Sequence, residues 1–355
     1  MITDIEIRNF RCFRALDVRN CKRINLIVGD NGVGKTSVLE AIFLTLSRNA
    51  EVSLRLKTFR GSLGSFQGSP WTVGEALWQD YFYDMDWSKS ISISLIGSPG
   101  TSRSLAMSLN EGETLFSNVD TEGKNVDFQQ VSHELPLTFT WSGADGPEKP
   151  VRPMIRQNQV SIAAGPMKSS ASFFPAGLTP PLLETVERFS TLRRQNRSKV
   201  FIDAFTKEFD FISDLNIEVN AGQPMIYATL KKNGLQLPIS AVSGGINRVL
   251  SICLAIASQP QTVIIVDEME DGLFHTRKGS LWKTTLDLAF QQDAQLFVTT
   301  HDEEWLKSLI EVIEDSQIDE VSLWRFQRND RGESELKQFS GSVLRAAIET
   351  GREVR

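Results

Sequence analysis

A glycine-rich segment from Gly29 to Ser37 constrains the fold of this chain more than any other sequence feature. It spells GDNGVGKTS and fits the pattern GxxxxGK[ST]. An apolar strand, 24–28, precedes it, and an apolar helical pattern, 38–46, follows it. Backbone N–H groups of such a loop surround a phosphate at a helix N-terminus, the lysine neutralises its charge and the first hydroxyl binds Mg²⁺. We therefore predict an ATP-binding loop whose contacts are Asn31, Gly32, Gly34, Lys35, Thr36 and Ser37.

A second apolar run ends in two carboxylates. The apolar residues Val263 to Val266 predict a short buried strand, and Asp267 and Glu268 follow at once. We predict that Asp267 shares the Mg²⁺ ion with Thr36, and that Glu268 acts as the general base that polarises the attacking water.

The rest of the chain predicts three parts. The first, 1–165, contains the phosphate loop and a β-rich insertion, about 50–142, in which 90–97, 104–109 and 135–141 alternate as strands do. The second, 166–212, is a helical arm over 182–211. The third, 213–355, has a hairpin at Asn233-Gly234 and a helix beginning near Ser243, with buried strands at 262–266 and 295–299. Helices that alternate with continuous apolar strands predict an α/β fold with a parallel core sheet.

The sequence of the helical arm predicts one apolar face and one basic face. Its inward side chains are predicted to be Leu183, Val186, Phe189 and Leu192. Its outward basic side chains are predicted to be Arg188, Arg193, Arg194, Arg197 and Lys199. No heptad pattern persists through it, so a long coiled coil is not expected.

Composition limits the class of protein. The net charge of −6 gives no general attraction for a polyanion, so a nucleic-acid contact needs a local basic patch. The three scattered cysteines, Cys12, Cys21 and Cys253, favour free thiols over disulfides or a zinc site. Charges in the first eight residues and the lack of a long apolar run predict a cytoplasmic protein without membrane spans.

These segments together resemble a known family. IRNFRCFRALDV and INLIVGDNGVGKTSVLEAIF resemble the N-terminal lobe of RecF, SMC and OLD-type ATPases, and VSGGINRVLSICLAIA, VIIVDEMEDGLFH and QLFVTTHDEEWLKSL resemble the C-terminal lobe. The chain is most similar to short members with a reduced coiled coil, including ATPases of bacterial anti-phage systems. The resemblance implies a P-loop NTPase with an ABC-type head: a mixed or parallel core sheet, an N-terminal β lobe and a short helical insertion.

The same resemblance implies a head-to-tail homodimer, or a higher oligomer, with two ATP molecules between the subunits. The segment 243–245 would bind the γ-phosphate held by the opposite subunit, and Asp271 would lie in a loop at the interface. His301 would reach the γ-phosphate and the attacking water. The residues added to the site are therefore Ser243, Gly244, Gly245, Asp271 and His301. Gln157 and Gln159 are candidates for a Mg²⁺-sensing glutamine.

Three functions stay open at this point. The first is an ATP-driven switch that controls a separate effector, a nuclease or toxin, in anti-phage defence. An OLD-type nuclease domain is not expected in the chain itself, because 54 residues follow His301, fewer than the roughly 100 that a domain needs. The second is a RecF-like DNA-binding ATPase that uses the basic side chains of the arm and Arg8, Arg11 and Arg14. The third is an ATP-binding scaffold with slow hydrolysis.

Overall fold

The structure is a computed structural model that describes residues 1–61, 69–97, 101–109, 133–156, 159–162, 171–179, 181–272 and 278–352. The strands are, in chain order, β1 (Ile2–Phe10), β2 (Phe13–Val18), β3 (Ile24–Gly29), β4 (Ile91–Gly97), β5 (Arg103–Leu109), β6 (His133–Glu134), β7 (Leu137–Gly143), β8 (Gly146–Pro147), β9 (Met154–Arg156), β10 (Gln159–Ser161), β11 (Ala171–Phe174), β12 (Ile212–Asn220), β13 (Gln223–Leu230), β14 (Gln236–Pro238), β15 (Val263–Val266), β16 (Gln295–Thr299), β17 (Val321–Arg328) and β18 (Ser334–Ser340). The helices are α1 (Lys35–Ser47), α2 (Glu51–Phe59), α3 (Pro70–Trp78), α4 (Leu182–Arg194), α5 (Ser198–Glu208), α6 (Ile239–Val242), α7 (Gly244–Ser258), α8 (Lys278–Gln291), α9 (Glu303–Val312) and α10 (Gly341–Glu349).

A six-stranded sheet in the order β11-β15-β16-β3-β17-β18 forms the core. Its first five strands run parallel, and β18 pairs antiparallel with β17 at the edge. Strands β15 and β16 are buried along their whole length, as continuous apolar runs covered on both faces should be. The predicted α/β class with a mixed core sheet is confirmed, and so are the strands predicted at 262–266 and 295–299.

The N-terminal β lobe is a second sheet, in the order β2-β1-β4-β5-β7-β8, and it is antiparallel throughout. The three alternating segments of the predicted insertion are its strands β4, β5 and β7. Helix α1 contacts strands of both sheets, and nearly every residue of it is buried. A helix between two sheets has no solvent face, so its apolar surface surrounds the helix rather than forming one stripe.

The predicted insertion opens with helices before its strands begin. Helix α2 follows α1 almost directly, and α3 begins where the Ser69 side chain accepts a hydrogen bond from the Thr72 N–H group at 3.2 Å. Pro70 occupies the first turn of α3, where its missing N–H group costs no hydrogen bond. Serine, proline and an aromatic-rich run therefore form a capped helix here.

The helical arm is broken into α4 and α5, and two of its predicted orientations are wrong. Asn196, with φ of 57°, ends the first helix. Leu183 is 61% exposed, because it lies about 100° around the helix from Leu182 and off the face that Val186 and Phe189 share. Arg188 turns inward, where its Nη2 atom donates to the Ser172 hydroxyl at 2.9 Å.

A three-stranded sheet, β12-β13-β14, follows the arm. The predicted turn at Asn233-Gly234 joins β13 to β14, and Gly234 has a positive φ of 67°. The tighter hairpin between β12 and β13 was not predicted. Ala221 and Gly222 both have positive φ, 49° and 80°, as the central residues of a type I′ turn do.

Two apolar clusters lie on opposite faces of the core sheet. Ile27 and Ile265 belong to the cluster shared with α1 and the N-terminal β lobe. Leu26 and Ile264, one position away, belong to the cluster shared with α7, α8 and α9. Within the described ranges, no helix combines the length and the apolar character that a membrane crossing needs.

Candidate nucleotide-binding site

Four loops meet at one edge of the core sheet because its parallel strands end there together. They follow β3, β11, β15 and β16. The loop after β3 is the predicted phosphate loop, and the loop after β15 begins with Asp267. Ligands of open α/β sheets bind at this carboxyl edge.

Glycine is required at the two ends of the phosphate loop. Gly29 has φ of 134°, and a Cβ atom there would lie 2.1 Å from the Phe326 carbonyl oxygen. Gly34 has φ of 103°, and a Cβ atom there would lie 2.5 Å from the Phe13 ring and 2.6 Å from the Cys12 sulfur. Only a residue without a side chain fits these positions, which lets the backbone approach a bound phosphate closely.

Lys35 is folded back over the loop. Its ammonium group donates to the carbonyl oxygens of Gly29 at 2.7 Å and Asp30 at 2.8 Å. Burial lowers the pKa of Lys35, and the nearby carboxylate of Asp267 opposes that effect. The N-cap residue of α1 is Gly34, which has no side chain to cap the first N–H groups. The start of α1 therefore offers a buried cation and N–H donors to an anion.

Asp267 is held by two hydroxyl groups. Its Oδ2 atom accepts a hydrogen bond from the Thr36 hydroxyl at 2.9 Å, and its Oδ1 atom accepts one from the Thr299 hydroxyl at 2.6 Å. The Thr299 oxygen in turn accepts the Glu268 N–H group at 2.8 Å. The structure thus brings Thr36 and Asp267 together, and a hydroxyl with a carboxylate is an oxygen donor set that suits Mg²⁺.

Glu268 and His301 face each other across the same edge. The His301 Nε2 atom lies 3.7 Å from the Glu268 Oε1 atom, and both side chains are partly exposed. The His301 backbone N–H group donates to the Glu270 carboxylate at 2.6 Å. Glu268 has φ of 53°, a left-handed conformation that is strained for a residue with a Cβ atom. Such a conformation persists only where the surrounding structure holds it.

A groove of about 560 Å³ joins these groups. Every predicted residue of the phosphate loop lines it, together with Asp267, Glu268 and His301. Its volume is in the range of pockets that hold small ligands, roughly 300–1,000 Å³. The groove therefore matches a nucleotide in size and in the placement of its phosphate-binding groups.

The segment 243–245 does not line this groove in the described part of the chain. Ser243 caps α7, where its hydroxyl accepts the Ile246 N–H group at 3.4 Å, and Gly244 is exposed. Gly272 packs closely against Gly245. Asp271 contacts its own chain, since its carboxylate accepts the Gly177 N–H group at 2.7 Å. The predicted site residues thus fall into two separate groups.

A charged cluster that also lines the groove was not predicted from the sequence. Glu40 of α1 is only 2% exposed, and its carboxylate accepts two hydrogen bonds from Arg60, at 2.7 and 2.9 Å. Arg11 lies 3.0 Å from the same carboxylate and also pairs with Asp80. The signal was a single charged residue within the apolar run of α1.

Gln157 and the side chain of Gln159, the predicted Mg²⁺-sensing candidates, lie outside the described residues.

The family model of the RecF/RecN/SMC N-terminal domain matches residues 1–320. The chain belongs to this RecF/RecN/SMC family. A Helicobacter pylori protein named ATP/GTP phosphatase is 21% identical over 347 residues, which cover 88% of each chain. A solved SMC head bound to the C-terminal winged-helix domain of ScpA has a TM-score of 0.52 at 14% identity, covering 98% of this chain and 99% of that one. The Pyrococcus furiosus SMC head with an extended coiled coil, bound to the C-terminal domain of ScpA, has a TM-score of 0.51 at 12% identity, covering 99% of both chains. The SMC head fold is therefore shown, as the sequence resemblance implied.

Proposed function

We propose that this RecF/RecN/SMC-family chain is an ATP-hydrolysing molecular switch. ATP and Mg²⁺ bind in the groove beside the phosphate loop, and two copies close head to tail around two ATP molecules. Hydrolysis opens the pair again. The closed and open forms control a separate effector protein, a nuclease or a toxin, in bacterial anti-phage defence.

One observation carries this proposal: in a single chain, only one of the two groups of site residues lines the groove. The phosphate loop, Asp267, Glu268 and His301 line one groove, whereas Ser243, Gly244 and Gly245 are not among the described residues that line it. A serine and two glycines at the N-terminus of a 15-residue helix suit a phosphate, because their N–H groups and the helix dipole favour negative charge. A second copy turned head to tail supplies that missing half.

The relatives support two parts of the proposal. The name of the Helicobacter pylori protein supports hydrolysis of a nucleoside triphosphate. The solved SMC heads carry a separate protein, ScpA, and we propose a separate partner for this chain as well. The effector and the defence role rest on the resemblance to short ATPases of anti-phage systems.

Two substitutions test the switch. Glu268→Gln removes the general base and keeps the side-chain volume, so ATP should bind without being hydrolysed and a stable dimer should accumulate. Lys35→Ala removes the buried cation, so ATP binding and ATP-dependent dimerisation should both be lost. Light scattering coupled to size-exclusion chromatography reports the dimer, and phosphate release from ATP and from GTP reports turnover.

Glu311→Gln is the matched control, since it removes one carboxylate from an exposed position on α9. It should leave both measurements at the wild-type values. If Glu268→Gln has the oligomeric state and the turnover of the wild type, the switch proposal is wrong. Co-purification from the native operon tests the effector, and an isolated chain without a specific partner would refute that part.

Binding of duplex DNA is the second candidate function, favoured by one observation. Arg193, Arg194 and Lys199 are exposed where α4 ends and α5 begins. Three other predicted contacts are engaged within the chain: Arg188 with Ser172, Arg11 with the cluster around Glu40, and Arg8 with Asp17. Fluorescence anisotropy of a labelled duplex with ATP, over a range of salt, decides this function. Phosphate contacts require affinity to fall steeply with salt.

A further inference from the structure

The side chain of Arg248 is buried between α7 and the loops at the carboxyl edge of the core sheet. It is 3% exposed. Its Nη1 atom donates to the Pro175 carbonyl oxygen at 2.7 Å, and its Nη2 atom donates to the Asp267 carbonyl oxygen at 2.7 Å. One guanidinium therefore joins the helix that starts at Gly244 to the loops that follow β11 and β15.

Further contacts of Arg248 reach the residues around Asp267. Its Nη2 atom lies 3.4 Å from the Glu268 carbonyl oxygen. Its Nη1 atom lies 3.9 Å from the Asp271 carboxylate, which also accepts the Gly177 N–H group. The guanidinium thus touches both sides of the strained residue Glu268 and the segment that follows it.

The bonds of Arg248 are of the stronger kind, because one partner is charged and water is excluded. A planar guanidinium can donate in two directions at once, and an ammonium group cannot reproduce that geometry. The left-handed backbone at Glu268 persists only where its surroundings hold it. Arg248 supplies part of that support by donating to the Glu268 carbonyl oxygen, and Thr299 supplies another part by accepting the Glu268 N–H group.

We infer that Arg248 is a positioning residue that couples the segment 243–245 to Glu268 of the same chain. This inference rests on the proposed function. In a head-to-tail dimer, the segment 243–245 of one chain contacts the ATP of the other, whereas its Glu268 acts on its own ATP. A helix that moves when it meets the opposite nucleotide carries Arg248 with it, and Arg248 moves the carbonyl groups of Asp267 and Glu268. The two ATP sites of a dimer are therefore linked through Arg248.

Mixed dimers with only one working site test the direction of this coupling. Two tagged copies are co-expressed, one with Glu268→Gln, and the dimer with both tags is purified. Only the Glu268 copy hydrolyses ATP. Arg248→Lys is then placed either in the working copy or in the Glu268→Gln copy, and single-turnover hydrolysis is measured.

We expect Arg248→Lys in the working copy to slow hydrolysis about tenfold or more, with the ATP affinity within about twofold of the reference dimer. The loss should exceed the loss in the other arrangement by at least tenfold. Three outcomes would overturn the inference: a larger loss when Arg248→Lys is in the Glu268→Gln copy, equal losses in both arrangements, or no loss in either. Equal losses would mean that Arg248 only shapes the fold or the segment 243–245.

Two measurements separate this result from misfolding and from failure of the proposed function. Arg248→Gln in the same two arrangements repeats the test with a neutral side chain, and Arg331→Lys, at an exposed position between β17 and β18, is the control. Thermal melting of each dimer checks that both arrangements are equally folded. If no mixed dimer forms with ATP, the proposed function itself is wrong; if the dimer forms and hydrolyses ATP without the asymmetry, only the role of Arg248 is wrong.

Discussion

Replacing Thr299 by valine should destabilise the protein although the volume of the side chain hardly changes. Thr299 is fully buried, and its hydroxyl donates to the Asp267 carboxylate at 2.6 Å and accepts the Glu268 N–H group at 2.8 Å. A hydrogen bond to a charged group contributes about 1.5–3 kcal/mol, and one between neutral groups about 0.5–1.5 kcal/mol. Losing both should lower the free energy of unfolding by about 2–4.5 kcal/mol.

Urea unfolding of the nucleotide-free protein, followed by tryptophan fluorescence, measures this loss. Thr299→Ser keeps the hydroxyl and removes a methyl group, so it is the matched control and should recover most of the stability. Turnover should be highest in the wild type, lower in the serine variant and lowest in the valine variant, because only valine leaves the Glu268 N–H group without its hydroxyl acceptor. A valine variant within about 0.5 kcal/mol of the wild type would refute the idea that this hydroxyl fixes the Asp267–Glu268 pair.

Three further changes test other parts of the site. Gly29→Ala should lower the free energy of unfolding by about 3 kcal/mol or more and abolish ATP binding, because its Cβ atom meets the Phe326 carbonyl. Gly61 also has a positive φ but has open space around it, so Gly61→Ala should lower the free energy of unfolding by only about 1 kcal/mol. Equal losses would contradict the clash. Glu40→Gln should destabilise the nucleotide-free protein by about 3 kcal/mol in urea unfolding, since two arginines lose a buried carboxylate, and a neutral outcome would show that they find other partners. Burial raises the pKa of the Cys12 thiol, so the rate of alkylation by iodoacetamide should keep rising above about pH 8.5, the pKa of a free cysteine. Bound ATP should slow this alkylation. A rate that levels off below about pH 8.5 would contradict the burial.

The core strands could be predicted from the sequence because every residue in their apolar runs is buried, whichever face of the sheet it lies on. Val263 to Val266 must be covered on both sides, so the strand and its carboxyl-end acids follow together. The arm was less predictable. A helix gives each residue a direction that changes by about 100° per position, so assigning Leu183 rather than Leu182 to the buried face reverses its environment.

The site was predictable where a motif fixes both spacing and residue type. Thr36 and Asp267 are 231 positions apart and form the expected pair. Arg248 and Glu40 carry no such pattern, because each depends on what the tertiary fold places around a single charge. The sequence shows that Arg248 is a cation and Glu40 an anion within apolar helical segments. It does not show their partners, which come from distant elements.

The place of β3 in the core sheet has a consequence for protein synthesis. Ile24, near the start of the chain, pairs with Leu296 on one side and with Val321 on the other. The strand that supports the phosphate loop therefore gains its two neighbours only when β16 and β17 have left the ribosome. Pairings across such long separations close slowly. A nascent chain that stops before β17 consequently lacks at least one neighbour of this strand, and nucleotide binding becomes a sign that β16 and β17 have been made.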